Sequence, residues 1–350
     1  MDEQTAFVLA IQLIALSCIA GALLLYLLCK MSRRKHTYDT TFATLNVGTA
    51  RSILITSCET ALGLQLALHF SSLGFRVFAG FKPTTAEGKS EENKSDGYKI
   101  LRAKLKSCQN HLLSASVNLD DANVLKVITL PLDVTREDSL HEAVDIIRRH
   151  LPAGEDGLWA LINTAGTCLK GKLENQDSSS QWDALLKTNV IGTLKTARTF
   201  LPLLQAKRGR FISLGISSEL ETDSVAYNAS RYAVLGASLS LYQETKHAKA
   251  QFICINPETI PSEKLFAVPK LNKRGSRVSN EEDCSSNQAA KYNISVLNAF
   301  ALDIFEEAIL TERPKHLYII SKPNDISHYF SAIVERFQKS PLDKSKVIEA

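Results

Sequence analysis

The run "SILITSCETALGLQLALHF" (52–70) opens on consecutive apolar residues, turns through small and polar ones, and continues at helical spacing. A strand that is apolar without alternation is covered on both faces, which is the condition of a parallel sheet. The tight turn "TSCETALG" (56–63) aims backbone N–H groups at a phosphate, assisted by the dipole of the helix that follows. Glycines normally permit that approach. Only Gly63 remains, with Ser57 and Ala61 at the other two small positions. Small side chains can still admit a dinucleotide, so Thr56, Ser57, Cys58, Ala61, Leu62 and Gly63 are candidate nucleotide contacts. Cys58 reads as a small packing residue rather than a redox group.

The same rhythm recurs outward from this unit. Candidate strands are 52–56, 76–80, 127–132, 158–163, 210–214, 251–256 and 316–320, separated by helical patterns such as "SLHEAVDIIRRHL" (139–151). Leu140, Val144, Ile147 and Leu151 mark one face of that helix. Strand–helix alternation predicts an α/β, doubly wound, mostly parallel seven-stranded sheet, Rossmann-like, whose ligands bind beyond the carboxyl ends of the strands. The expected organisation is a membrane anchor and basic flank over 1–35, a linker over 36–50, the main domain over 51–322, and an amphipathic helix and tail over 323–350. Within the main domain, 83–124 is a polar insertion with a helix. Residues 257–292 form a long loop above a strand end, read as a substrate lid.

The stretch from Ala6 to Cys29 carries no charge and is long enough to cross a ~30 Å hydrocarbon core. Asp2 and Glu3 precede it, while Lys30, Arg33, Arg34 and Lys35 follow. The run predicts an N-terminal transmembrane helix rather than a cleaved signal peptide, which would carry its positive charge first. The positive-inside rule places the N-terminus in the lumen and the main domain in the cytosol. A net charge of +4 over 350 residues gives no reason to expect nucleic acid as a partner. Seven scattered cysteines without metal-type spacing point to reduced thiols and no metal site.

The chemistry sits at the predicted strand ends. "LDV" (132–134) places Asp133 near an adenine amine. "NTAG" (163–166), "TNVIGT" (188–193), "GRFISLGISS" (209–218) and "YNASR" (227–231) follow in order. Tyr227 and Arg231, four apart, share a helix face, which suits a phenol used as proton donor and acceptor beside a cation that lowers its pKa.

Over about 50–260 these motifs resemble the short-chain dehydrogenases/reductases; "GLWALINTAG" and "DVTRED" resemble the branch of membrane-bound retinol and 17β-hydroxysteroid dehydrogenases. The resemblance implies an NAD- or NADP-dependent oxidoreductase with Tyr227 as catalytic acid/base and Asn189 helping to hold a relay water. It also implies Asn163, Ala165 and Gly166 along the nucleotide and Asp133 at the adenine. A lipophilic substrate in the membrane is expected, a steroid (including an ecdysteroid-type hormone precursor) or a retinoid. A homodimer is compatible with the resemblance.

Four departures bear on activity. Arg231 stands where the family has lysine, keeping charge and donors with a wider planar fork. The substrate-orienting serine is displaced, with Ser217 the nearest hydroxyl and Ser213 upstream. The glycine turn is depleted, and the usual Pro-Gly after the sixth strand reads Pro257-Glu258. Lys82, at the end of the second strand, is available to a 2′-phosphate or is simply solvated. A catalytically impaired nucleotide- or lipid-binding scaffold or sensor is therefore the second reading.

Overall fold

The chain separates into two compact units, Met1–Thr49 and Ala50–Ala350. The computed structural model describes residues 16, 21, 51–83, 95–114, 126–171, 179–215, 225–245, 249–271 and 289–321. The expected membrane span (apart from Leu16 and Gly21), the linker, Ser217, the middle of the expected lid and the C-terminal helix all lie outside those residues. Among the described residues no helix is long and apolar enough to cross a membrane.

Seven strands form one sheet in the order β3-β2-β1-β4-β5-β6-β7, and every pairing is parallel. They are β1 (Ser52–Ile55), β2 (Arg76–Phe81), β3 (Val127–Pro131), β4 (Ala160–Asn163), β5 (Arg210–Leu214), β6 (Gln251–Asn256) and β7 (Leu317–Ile319). The connecting helices include α1 (Ala61–Ser72), α2 (Asp96–Ser114), α3 (Glu137–His150), α4 (Ser179–Leu186), α5 (Gly192–Ala206) and α6 (Val225–Glu244). The short α7 (Ser262–Leu265) and then α8 (Ala299–Leu310) follow. Both faces are covered, as the unbroken apolar strands require. Ile53 and Ile55 join the core under α1 and α8, while Leu54 between them joins the core under α3 and α5. The seven expected strands are all present. β4 starts two residues later than expected because the Leu158 N–H is used on the Leu203 carbonyl of α5 (2.9 Å) rather than on a neighbouring strand.

The insertion after β2 holds one long helix, α2. Its Ile100 and Leu101 are buried, and Tyr98 meets Phe81 edge-on at 5.6 Å. The "TNVIGT" stretch is a π-helical segment, Lys187–Ile191, running into α5. One π-turn rotates the inward face and buries Asn189 completely. The order reversal between β1 and β4 places a crevice at the carboxyl edge of the sheet, where an open α/β fold binds ligands.

Candidate active site

The turn after β1 is fastened on every side. Ser57 N–H donates to Thr164 Oγ1 (3.2 Å) and Cys58 N–H to the Gly80 carbonyl of β2 (2.8 Å). Thr60 caps α1, its hydroxyl accepting from Gly63 N–H at 3.2 Å. A side chain at Gly63 would run into the Ser57 carbonyl oxygen, so this glycine lets the helix close on the turn. That need explains why it is kept where the other two glycines are not. Burial raises the Cys58 thiol well above its ordinary range, and the residue acts as packing, as expected.

β4 is stitched to this turn by buried polar groups. Asn163 accepts from the Thr56 hydroxyl (2.8 Å) and donates to the Thr193 hydroxyl (2.8 Å), which in turn donates to the Asn189 carbonyl (2.7 Å). Ala165 N–H donates to Thr56 Oγ1 (3.2 Å). Asn189 accepts from Thr167 N–H (2.8 Å) and donates to the Thr167 carbonyl and the Ser230 hydroxyl, both at 3.0 Å. Its two donors are thus engaged with protein groups, tying the loop after β4 to α6. Asn163 and Asn189 act as framework under the cleft. Thr164 and Thr193, which the sequence reading passed over, complete that network.

Tyr227 and Arg231 lie on one face of α6, as their spacing predicts, and both are buried. Arg231 Nη1 donates to the Leu214 carbonyl at the end of β5 (3.2 Å). The guanidinium carbon lies 5.3 Å from the Tyr227 ring centre and 4.9 Å from that of Phe266. The two rings meet edge-on at 6.2 Å. Arg231 Nε and Nη2 have no hydrogen-bond partner among the described residues. Burial lowers the Arg231 pKa, opposed by the Tyr227 phenol and the Cys254 thiol. Burial also pushes Cys254 up to about 11. Gly166 abuts this group: a side chain there would meet Arg231 Nη2 and the Phe266 ring, each at 2.5 Å. Ser213 is buried within β5, its hydroxyl 2.7 Å from that of Ser238. It therefore faces the helix packing rather than the cleft. Pro257 follows β6 directly and starts a turn in which Ile260 N–H donates to its carbonyl (3.2 Å).

At the other end of the crevice, Lys82 Nζ lies 3.5 Å from the Asp133 carboxylate. Burial pushes the Asp133 pKa up, but Thr135 N–H and hydroxyl donors and the Lys82 charge outweigh it and hold it below the ordinary value. The lysine singled out for a 2′-phosphate is therefore engaged with the residue singled out for adenine. A further carboxylate reaches the same place: Glu59 accepts from the backbone N–H of Lys82 at 3.3 Å. Burial raises its pKa, against the opposing pull of its own N–H, the Ser57 hydroxyl and Lys82. The sequence reading passed over Glu59: an acidic residue just ahead of a helix is visible in the sequence, but its reach to the end of β2 is not.

Residues 95–267 match the short chain dehydrogenase family. Among curated relatives, the D-beta-hydroxybutyrate dehydrogenase of Bos taurus is 29% identical over 194 residues, 55% of this chain and 48% of that protein. The estradiol 17-beta-dehydrogenase 2 of Mus musculus is 27% identical over 213 residues, 59% of this chain and 47% of that protein. The 17-beta-hydroxysteroid dehydrogenase type 6 of Homo sapiens is 26% identical over 210 residues, 59% and 55% respectively. The chain spans about half the length of these relatives. It resembles the short-chain dehydrogenases, including their 17β-hydroxysteroid dehydrogenase branch. Dehydrogenases of this family use NAD or NADP.

The frame fits a dinucleotide in kind. Gly63 lets the turn close tightly onto α1, and Arg231 Nε and Nη2, two donor nitrogens unpartnered among the described residues, match the acceptors of a ribose. One feature of this conformation stands against it. Ala61 N–H, in the first turn of α1, donates to the Ala267 carbonyl at 2.8 Å. The segment after α7 thus lies on the turn that would face the phosphates.

Proposed function

We propose that the protein is a membrane-anchored, NAD-dependent oxidoreductase of a lipophilic alcohol or ketone, a steroid or a retinoid. The observation that carries this is the Tyr227–Arg231 pair on α6, buried beside Gly166 at the carboxyl edge of the sheet. When bound, the nicotinamide supplies the hydride acceptor or donor. Thr56, Ser57, Ala61, Leu62 and Gly63, with Asp133, Asn163, Ala165, Gly166 and Pro257, would hold the dinucleotide. Tyr227 takes the proton from the substrate hydroxyl in oxidation and returns it in reduction. The Arg231 cation stabilises negative charge developing on the phenol oxygen, both groups being buried. Asn189 keeps the loop after β4 and α6 in register through Thr167 and Ser230.

NAD is preferred over NADP on electrostatic grounds. Lys82 already has a carboxylate partner, and Glu59 adds a second carboxylate beside the end of β2, where a 2′-phosphate would be repelled. The uncharged run 6–29 with its basic flank supports an anchor in the endoplasmic reticulum with the domain on the cytosolic side. A substrate that partitions into lipid fits such a tether. The steroid dehydrogenases among the relatives support the steroid class. Exposed Leu186, Ile191 and Leu194, with Val225, Tyr232 and Leu239 on α6, offer an apolar face for a second copy of the chain.

The test is reduction of NAD by the full chain in lipid nanodiscs, offered a panel of steroid and retinoid alcohols. Turnover of at least one is expected. Tight NADH binding with no turnover on any panel member would instead establish the scaffold reading.

A further inference from the structure

The segment Leu265–Ala267 presents a puzzle that the dehydrogenase reading does not absorb. Leu265 and Phe266 are buried at the mouth of the cleft, while Ala267 turns its carbonyl onto the phosphate-facing turn. The strap is fixed at both ends. Lys170 pairs with Glu263 at 3.1 Å on one side, and Leu271 N–H donates to the Asp96 carboxylate at 3.1 Å on the other. A separation of 2.8 Å between Ala61 N and Ala267 O leaves no space for a phosphate oxygen between them. The Phe266 ring occupies the space against Gly166 and Arg231, where the proposed function puts the dinucleotide.

The closed arrangement is only partly satisfied. An aromatic face attracts a guanidinium but accepts none of its in-plane N–H groups, and Arg231 Nε and Nη2 stay unpartnered among the described residues. A buried donor without an acceptor is unfavourable. A ligand carrying hydroxyl or phosphate acceptors would satisfy those donors, provided Phe266 leaves. We infer that the strap Leu265–Ala267 is an intramolecular competitor of the dinucleotide, with Phe266 as its latch on Arg231, and that cofactor binds only as the strap swings out. This rests on the dehydrogenase reading. Apparent affinity then equals intrinsic affinity multiplied by the fraction of molecules with the strap open.

The experiment is a fluorescence titration of the full chain with NADH, comparing wild type, Phe266→Ala, and Phe266→Leu, which keeps apolar volume but removes the ring. Both variants bind NADH more tightly, Phe266→Ala by about tenfold, the scale on which losing a few competing contacts shifts a two-state population. Equal or weaker binding in both variants overturns the inference while leaving the dehydrogenase reading in place. Absence of NADH binding in all three proteins overturns both. Hydrogen exchange on the wild type decides the matter even where a variant fails to fold. A four-residue helix such as α7 does not hold without its packing, so saturating NADH raises deuterium uptake across 262–269. Unchanged uptake with NADH bound overturns the inference.

Discussion

The two ends of the crevice solve opposite electrostatic problems. Beside β2 and β3, charges offset one another: exposed Lys82 faces the largely buried Asp133 carboxylate, and Glu59 accepts a backbone N–H. Beside β4 and β5, the Arg231 guanidinium is buried against two aromatic rings with two donor nitrogens unpartnered among the described residues. The first end is at rest without a ligand. The second is not, and burial with unmet hydrogen-bond capacity is how a folded chain holds a site ready for one. On the proposed function, cofactor choice belongs to the first end and chemistry to the second.

Arg231→Met should separate stability from activity most sharply. It removes a desolvated cation that lacks full compensation, so thermal unfolding moves upward by about 1–3 kcal/mol. Turnover falls by about 100-fold or more, because the charge facing the phenol is gone. Loss of stability with retained turnover would reverse the assignment. At the other end, wild type binds NADH about tenfold or more tightly than NADPH. Glu59→Gln narrows that ratio, in line with the energy of a like-charge contact near a protein surface. A ratio that stays unchanged removes Glu59 from cofactor choice.

Smaller effects probe the frame between the ends. Gly63→Ala drives a methyl into the Ser57 carbonyl and costs about 1–3 kcal/mol in chemical denaturation, since backbone cannot yield as a flexible side chain would. Asp133 gives a pH signature. Its folded pKa is depressed, so its contribution to stability is present above the ordinary carboxylate value of 3.8 and is lost as pH falls through the folded pKa. Asp133→Asn is therefore less stable than wild type near neutrality, and the gap closes in acid. A gap independent of pH would mean that Thr135 and Lys82 do not stabilise the charge.

What could be read without coordinates follows the same division. The sheet was legible because its strands are continuously apolar, and both-face burial leaves that mark on residues such as Ile53, Leu54 and Ile55. The shared face of Tyr227 and Arg231 was legible from helical spacing, and their roles from the resemblance to the short-chain dehydrogenases. Asn163 and Asn189 were found as motif residues, but their engagement with Thr56, Thr167, Thr193 and Ser230 depends on contacts 22 to 107 residues apart in sequence. Phe266 left no signal. It sits in the short apolar run Leu265–Val268 beside a four-residue helix, too short to show a period, and its partners Gly166, Tyr227 and Arg231 come from other elements. The reach of Glu59 depended in turn on how the turn folds back onto β2.

The central claim is that the α6 phenol moves the proton. Single-turnover kinetics of Tyr227→Phe beside wild type, with NAD and a substrate from the steroid or retinoid panel, test it most directly. The prediction is a loss of about 100- to 10,000-fold in the chemical step, the usual worth of a positioned acid/base, with NADH affinity unchanged. A chemical step as fast in Tyr227→Phe as in wild type would contradict it.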